Sequence, residues 1–166
     1  MNWKKITILV LLSLLLTLMD VSFFTSIPIA GATIISTYAV IINFSILKNN
    51  KNNNNENFLF EAISLIFFSI FSSVPIWLLL IAFFIIPGTI FYLRKNYFPA
   101  PSIIVSIAFF ALANLFFDLI LLVYFSEYNL AGLKSLLYFV LINTIIGVAI
   151  YSIANYLKVK RQEIKI

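Results

Sequence analysis

The sequence predicts an all-α integral membrane protein, a six-transmembrane-helix bundle with both termini cytoplasmic. Three observations carry that reading. Of the 166 residues, 63% are hydrophobic and 10% are charged, where a soluble domain carries about a quarter charged residues; mean hydropathy is +1.08. Apolar runs of more than about 18 residues, the length that spans a bilayer, recur along the chain. Cationic residues stand in short clusters between those runs. The chain is one membrane domain, 1–166, with helices expected over about 6–24, 27–47, 58–72, 75–93, 102–124 and 135–157.

The first helix follows Met1-Asn2-Trp3-Lys4-Lys5, a basic start that resembles a signal peptide, and Ala30-Gly31-Ala32 resembles a cleavage site. Cleavage there would cut into the second span, so the segment is expected to remain. Helix two ends before KNNKNNNNEN, 48–57, which reads as a flexible, solvated linker. Phe58 to Leu93 then runs 36 residues without a strong basic break. As one helix it would be about 54 Å long, far beyond the roughly 30 Å hydrocarbon core. The chain must fold back, and Ser72-Ser73-Val74-Pro75 is the place. Proline donates no backbone hydrogen bond and drives the residue before it out of the helical region. Serine hydroxyls can satisfy the freed backbone groups. Pro87-Gly88 is too close to Arg94 to begin another span and reads as a kink within helix four.

Charge tests the six-span arrangement independently. It gathers Lys4, Lys5, Lys48, Lys51, Arg94, Lys95, Lys158, Lys160, Arg161 and Lys165 on one side and leaves Lys134 on the other. Ten against one predicts that the basic side, with both termini, is cytoplasmic. Merging helices three and four would destroy the bias.

The chain has no cysteine and no histidine. That excludes disulfides, thiolate chemistry, zinc sites of the usual kind and the imidazole proton shuttle. No cofactor is expected. The net charge of +5 follows membrane topology and does not indicate nucleic-acid binding. There is no Gly-rich phosphate loop, no spaced carboxylate pair and no Ser/His/Asp set. Asp20, Ser72, Ser73, Glu127 and Tyr128 are the polar residues expected at the outer surface, and they read as ordinary loop residues. Catalysis is not expected.

Polar residues inside apolar helices mark the faces that look inward. In helix five Ser102, Ser106, Asn114 and Asp118 fall on one i+4 row, with Phe110 between them. Helix six carries Asn143, Gly147, Tyr151 and Asn155 on a similar row. The two rows are expected to meet as helix–helix glue, with a small-molecule pocket as the sharper alternative. Asp118 is the intramembrane acid nearest the outer end. Glu61 lies near the cytoplasmic face, where its carboxylate can snorkel.

Three stretches resemble the bacterial rod shape-determining protein MreD family. They are FFTSIPIAGATI at the entry to helix two, FSSVPIWLLLIAFFI at the turn into helix four, and FYLRKNYFPAPS in the basic loop after it. The family's Asp and glycines before and around the turn are replaced here by Ser69, Leu65 and Trp77. The resemblance implies a non-enzymatic subunit of the cell-wall elongation machinery in the bacterial cytoplasmic membrane. It implies association with an MreC-like protein and, through it, with MreB, RodA and a class B penicillin-binding transpeptidase. On this reading Phe71, Ser72, Ser73, Pro75 and Trp77 form the partner-contact turn, and membrane lipids contact the apolar outer faces.

The architecture is also similar to that of the S components of energy-coupling-factor transporters, small six-span proteins that bind vitamins or metals. For that alternative a pocket at the outer end is required, and Asp118, Asn114, Tyr124, Tyr128 and Trp77 are the residues available for it. The same aromatic residues would serve equally as an interfacial belt.

Overall fold

The computed structural model describes residues 3–24, 34–47, 54–99, 102–125 and 130–163. These residues form six helical bodies. Helix α1 covers Trp3–Leu18 and runs on into a π-helical segment, Met19–Phe24. Helix α2 covers Ser36–Leu47, α3 covers Asn54–Phe71, α4 covers Ile76–Tyr97, α5 covers Ile103–Phe125 and α6 covers Leu130–Glu163. Four of them have spans long and apolar enough to cross a membrane: Trp3–Ser22, Ile76–Tyr97, Ile103–Phe125 and Leu130–Leu157. Only 17% to 33% of each such stretch is buried in the bundle. Most of each span therefore faces outward with apolar side chains, as lipid-embedded helices do. The protein is all-α and membrane-embedded.

The fold-back inside the long apolar run is present at the expected place. Helix α3 ends with Ser72 N–H donating to Phe68 O at 2.9 Å. Val74 N–H turns to the Ser72 hydroxyl at 3.4 Å. Pro75 then takes an extended conformation, φ −58° and ψ 141°. Its carbonyl accepts from Leu78 and Leu79 N–H at 3.0 and 3.2 Å, which starts α4. Further along α4, the interruption expected at Pro87-Gly88 takes the form of a widened turn. Ile81–Ile85 is π-helical, and Ile86 N–H reaches back five residues to Ile81 O. Proline at 87 cannot donate and its ring crowds the carbonyl four residues earlier; a wider turn just before it relieves that crowding without ending the helix.

Expected boundaries are corrected at three helices. Helix two was expected over 27–47, yet Ile34 and Ile35 are not helical and the helix is twelve residues, Ser36–Leu47. The reason lies in its amino end, which is capped by side chains from other helices, described below. Residues 27–33 lie outside the described residues. The Asn-rich linker was expected to reach residue 57, but α3 begins at Asn54. Glu56 sits in its first turn, where the helix dipole favours an acid, and accepts from Lys5 Nζ at 2.9 Å. Helix six is also longer than expected at both ends.

The six helices alternate in direction. Lys5 meets Glu56 and Ser13 meets Ser64, both pairs 51 residues apart, so α1 and α3 run parallel in register. Ile35 meets Asn143 and Asn43 meets Gly147, so α2 and α6 are parallel. Asn114 meets Thr144 across α5 and α6, which are antiparallel. At the centre stands α2, with eight of its twelve residues buried: Thr37, Tyr38, Ala39, Ile41, Ile42, Asn43, Ser45 and Ile46. Tyr38 stacks on Phe117 at 4.9 Å and on Phe83 at 6.1 Å between ring centroids, and Phe83 receives Phe68 edge-on at 5.2 Å. These rings join α2, α3, α4 and α5 into one core.

Candidate functional site

A helix of twelve residues is about 18 Å long, well short of the roughly 30 Å hydrocarbon core. Its first amide groups have no intrahelical partner. In a low-dielectric surrounding each would cost several kcal/mol if left bare. The protein meets this with two side chains from other helices. The Asp20 carboxylate, in the π-helical end of α1, accepts from Ser36 N–H at 2.8 Å and from the Ser36 hydroxyl at 2.6 Å through Oδ1. Through Oδ2 it accepts from Thr37 N–H at 2.8 Å. Asn143, on α6, accepts from Ile35 N–H at 2.8 Å through Oδ1 and anchors its own amide on Phe139 O at 3.0 Å. Asp20 is 3% exposed and Asn143 1%. A buried carboxylate held at a helix amino end gains from both the charge-assisted hydrogen bonds and the helix dipole.

Beside this clasp lies a cavity of about 310 Å³ at the end of the bundle that holds the Ser72–Pro75 turn. Asp20, Phe71, Ser72 and Ser73 are among its lining residues, with Phe68, Phe117 and Leu121 forming apolar walls. Asp20 spends three of its roughly four lone-pair positions on α2. The arrangement is therefore a polar, partly committed mouth on an apolar cavity.

The residues singled out in the sequence are distributed as follows. Phe71, Ser72 and Ser73 line the cavity, and Pro75 starts α4. Trp77 points away and meets Tyr124 edge-on at 5.9 Å; both are exposed, 52% and 44%. Asn114 and Asn143 do not meet. Asn114 donates to Thr144 Oγ1 at 3.4 Å, while Asn143 is turned to α2. Ser106 is buried and donates to Ser102 O at 3.0 Å within its own helix. Asp118 is half-buried and Tyr151 is buried. None of Asn114, Asp118, Trp77 or Tyr124 lines the cavity, and Tyr128 lies outside the described residues.

At Gly147, α6 packs tightly against Phe110 of α5. A β-carbon there would stand 2.6 Å from Phe110 Cε1 and 3.0 Å from Cγ, so only glycine lets the fully buried Phe110 ring rest on the helix. The same residue's carbonyl accepts from Asn43 Nδ2 at 3.1 Å. Ser13 and Ser64 hydroxyls pair at 2.8 Å in the α1–α3 contact, and Tyr38 OH donates to Ala113 O at 3.1 Å.

Sequence reasoning placed Asp20 among outer loop residues and missed its role. The signal was present. Asp20 is the one charged residue between Lys5 and Lys48, and Ser36-Thr37 further on is a helix-start pattern lacking an acid of its own. Among the described residues no group of three or more His, Cys, Asp or Glu side chains converges to hold a metal ion. Comparison with known proteins finds no family model, no curated protein and no solved structure that matches this chain.

Proposed function

We propose that the protein is a six-span, non-enzymatic subunit of the cell-wall elongation complex in a bacterial cytoplasmic membrane, with both termini inside. In this reading it acts by packing its helices against partner membrane proteins. One observation supports it best: five hydrogen bonds from buried polar side chains run from one segment of the bundle to another. Ser13–Ser64, Asn43–Gly147, Tyr38–Ala113 and Asp20–Ser36 join one helical segment to another, and Asn143–Ile35 joins α6 to the residue before α2. Polar groups used this way fix helix positions. Meanwhile Phe71, Trp77, Tyr124 and Phe125 stay exposed around the outer turn, a surface suited to a partner helix. The assignment to the elongation complex rests on the resemblance of the FSSVPIWLLLIAFFI turn and its flanking stretches.

Site-specific photo-crosslinking from Phe71 and Trp77 in living, rod-shaped cells tests this reading. An adduct with an MreC-like protein, together with rounding of cells depleted of the chain, is the expected result. Adducts with an importer scaffold, in cells of unchanged shape, would overturn it. A second reading, the substrate-binding membrane subunit of a vitamin or metal importer, is favoured by the cavity beside Asp20. Its test is retention of a small molecule by the purified protein that Phe117→Trp expels.

A further inference from the structure

A second concavity lies on the outside of the bundle, between α4 and α5. It measures about 240 Å³. Ile90, Phe109 and Ala113, all buried, form its floor, while Thr89, Leu112 and Phe116 stand exposed along its walls. Thr89 supplies the lining's one polar side chain, and its hydroxyl is spent on Ile85 O at 2.8 Å. The interior thus asks for hydrocarbon and offers no hydrogen bond.

One end of this groove is basic. On α4 the lining runs from Ile85 to Leu93, and the next two residues are Arg94 and Lys95 in the last turn of the helix. Arg94 is half-buried, and its guanidinium donates to Pro99 O at 3.3 Å in the connection to α5. The charge is thereby held at the mouth between the two helices. Phe98 closes the same end by resting edge-on against Phe109 at 5.9 Å. Eight residues of helix rise give a groove about 12 Å long, close to the roughly 15 Å half-thickness of the hydrocarbon core.

We propose that this groove is a binding site for an anionic phospholipid, one acyl chain lying between α4 and α5 and the phosphate headgroup held by Arg94. A bare apolar groove in a membrane would take any lipid tail. The Arg94 guanidinium at one end, at a distance of one leaflet from the other, selects both the headgroup charge and the orientation of the molecule. The site rests on membrane embedding alone, so its failure would leave the elongation-complex reading standing.

The test is native mass spectrometry of the detergent-purified protein. It is offered an equimolar mixture of phosphatidylglycerol and phosphatidylcholine with the same acyl chains. The expected result is preferential retention of phosphatidylglycerol, lowered about five-fold by Arg94→Gln and far less by Lys95→Gln, on the opposite face of α4 from the lining. Thr89→Trp and Leu112→Trp, which fill the groove from its exposed walls, lower retention of both lipids. Ile104→Trp, on an exposed part of α5 outside the groove, changes nothing. Equal retention of the two lipids would overturn the proposal. So would equal loss in Arg94→Gln and Lys95→Gln with no loss in Thr89→Trp and Leu112→Trp, since the basic loop alone would then explain binding. A protein adduct to a photo-crosslinker at Leu112, with no lipid retained, would assign the groove to a partner helix instead.

Discussion

The Asp20 carboxylate closes the amino end of a helix that begins sixteen residues later, accepting both the backbone N–H and the hydroxyl of Ser36. A cap normally comes from the residue just outside the helix. Here it is brought from a neighbouring helix, and the π-helical turn at Met19–Phe24 holds the segment that delivers it. The cap therefore depends on tertiary structure, and it ties α1 to the most buried helix of the bundle.

Removing that carboxylate should be among the most costly single changes to this protein. Asp20→Ala leaves the amides of Ser36 and Thr37 buried without their acceptor. At about 1–3 kcal/mol per stranded group, the loss should be roughly 3 kcal/mol. Asp20→Asn keeps one carbonyl oxygen and should lose about half as much. Thermal unfolding in mild detergent reads both, and wild-type stability in Asp20→Ala would remove the cap from any account of the fold.

Gly147 and Phe110 make a second coupled pair. Gly147→Ala places a methyl group inside the volume of the Phe110 ring, which is fully buried and cannot swing away. Overpacking of this kind costs about 1–3 kcal/mol. Phe110→Leu alone should also destabilise by leaving a void. Combined with Gly147→Ala it should cost less than the sum of the two, because the smaller side chain makes room for the methyl. Strict additivity in a double-mutant cycle would show that the two positions are not in contact.

Much of this arrangement was legible in the sequence. The fold-back at Ser72–Pro75 follows from length alone, since one helix cannot absorb 36 apolar residues in a bilayer. The inward faces of helices five and six follow in part from residues four apart: Ser106, Asn114, Asn143, Gly147 and Tyr151 are buried, while on the same rows Asp118 is half-buried and Ser102 and Asn155 are exposed. What periodicity cannot show is which helix a given face meets. Asn143 lies on the row expected to face α5, yet its side chain caps α2. Asp20 left only an indirect trace, a lone charge between Lys5 and Lys48, because a cap brought from another helix leaves no local pattern. The exposed outer faces carry no sequence signal for what covers them, because lipid and partner helix select the same apolar residues.

The Lys5–Glu56 ion pair should behave very differently from Asp20. Its geometry is good, 2.9 Å, but the Lys5 side chain is 61% exposed and that of Glu56 27%. Exposed pairs contribute roughly 0–1 kcal/mol and are screened by salt. Glu56→Gln should therefore lower stability by no more than about 0.5 kcal/mol at low ionic strength, and the difference should vanish in 1 M salt. A loss comparable to that of Asp20→Ala would mean that the pair is far drier than its exposure indicates.

Orientation in the membrane can be read with single cysteines, since the chain contains none of its own. Alternating helices put Ser73 and Asn96 at opposite ends of α4, and both are exposed. The ends differ in charge: Arg94 and Lys95 lie beside Asn96, and Lys4 and Lys5 lie at the same end of the bundle because α1 and α3 run parallel. Positive residues are retained on the cytoplasmic side during insertion. A membrane-impermeant maleimide added to intact cells, with the outer envelope opened, should label Ser73→Cys. Asn96→Cys should be labelled only after the cytoplasmic membrane is permeabilised. The opposite pattern would invert the protein and place these four basic residues, together with the groove end at Arg94, outside. Labelling of both sites in intact cells would show that α4 does not cross the bilayer at all.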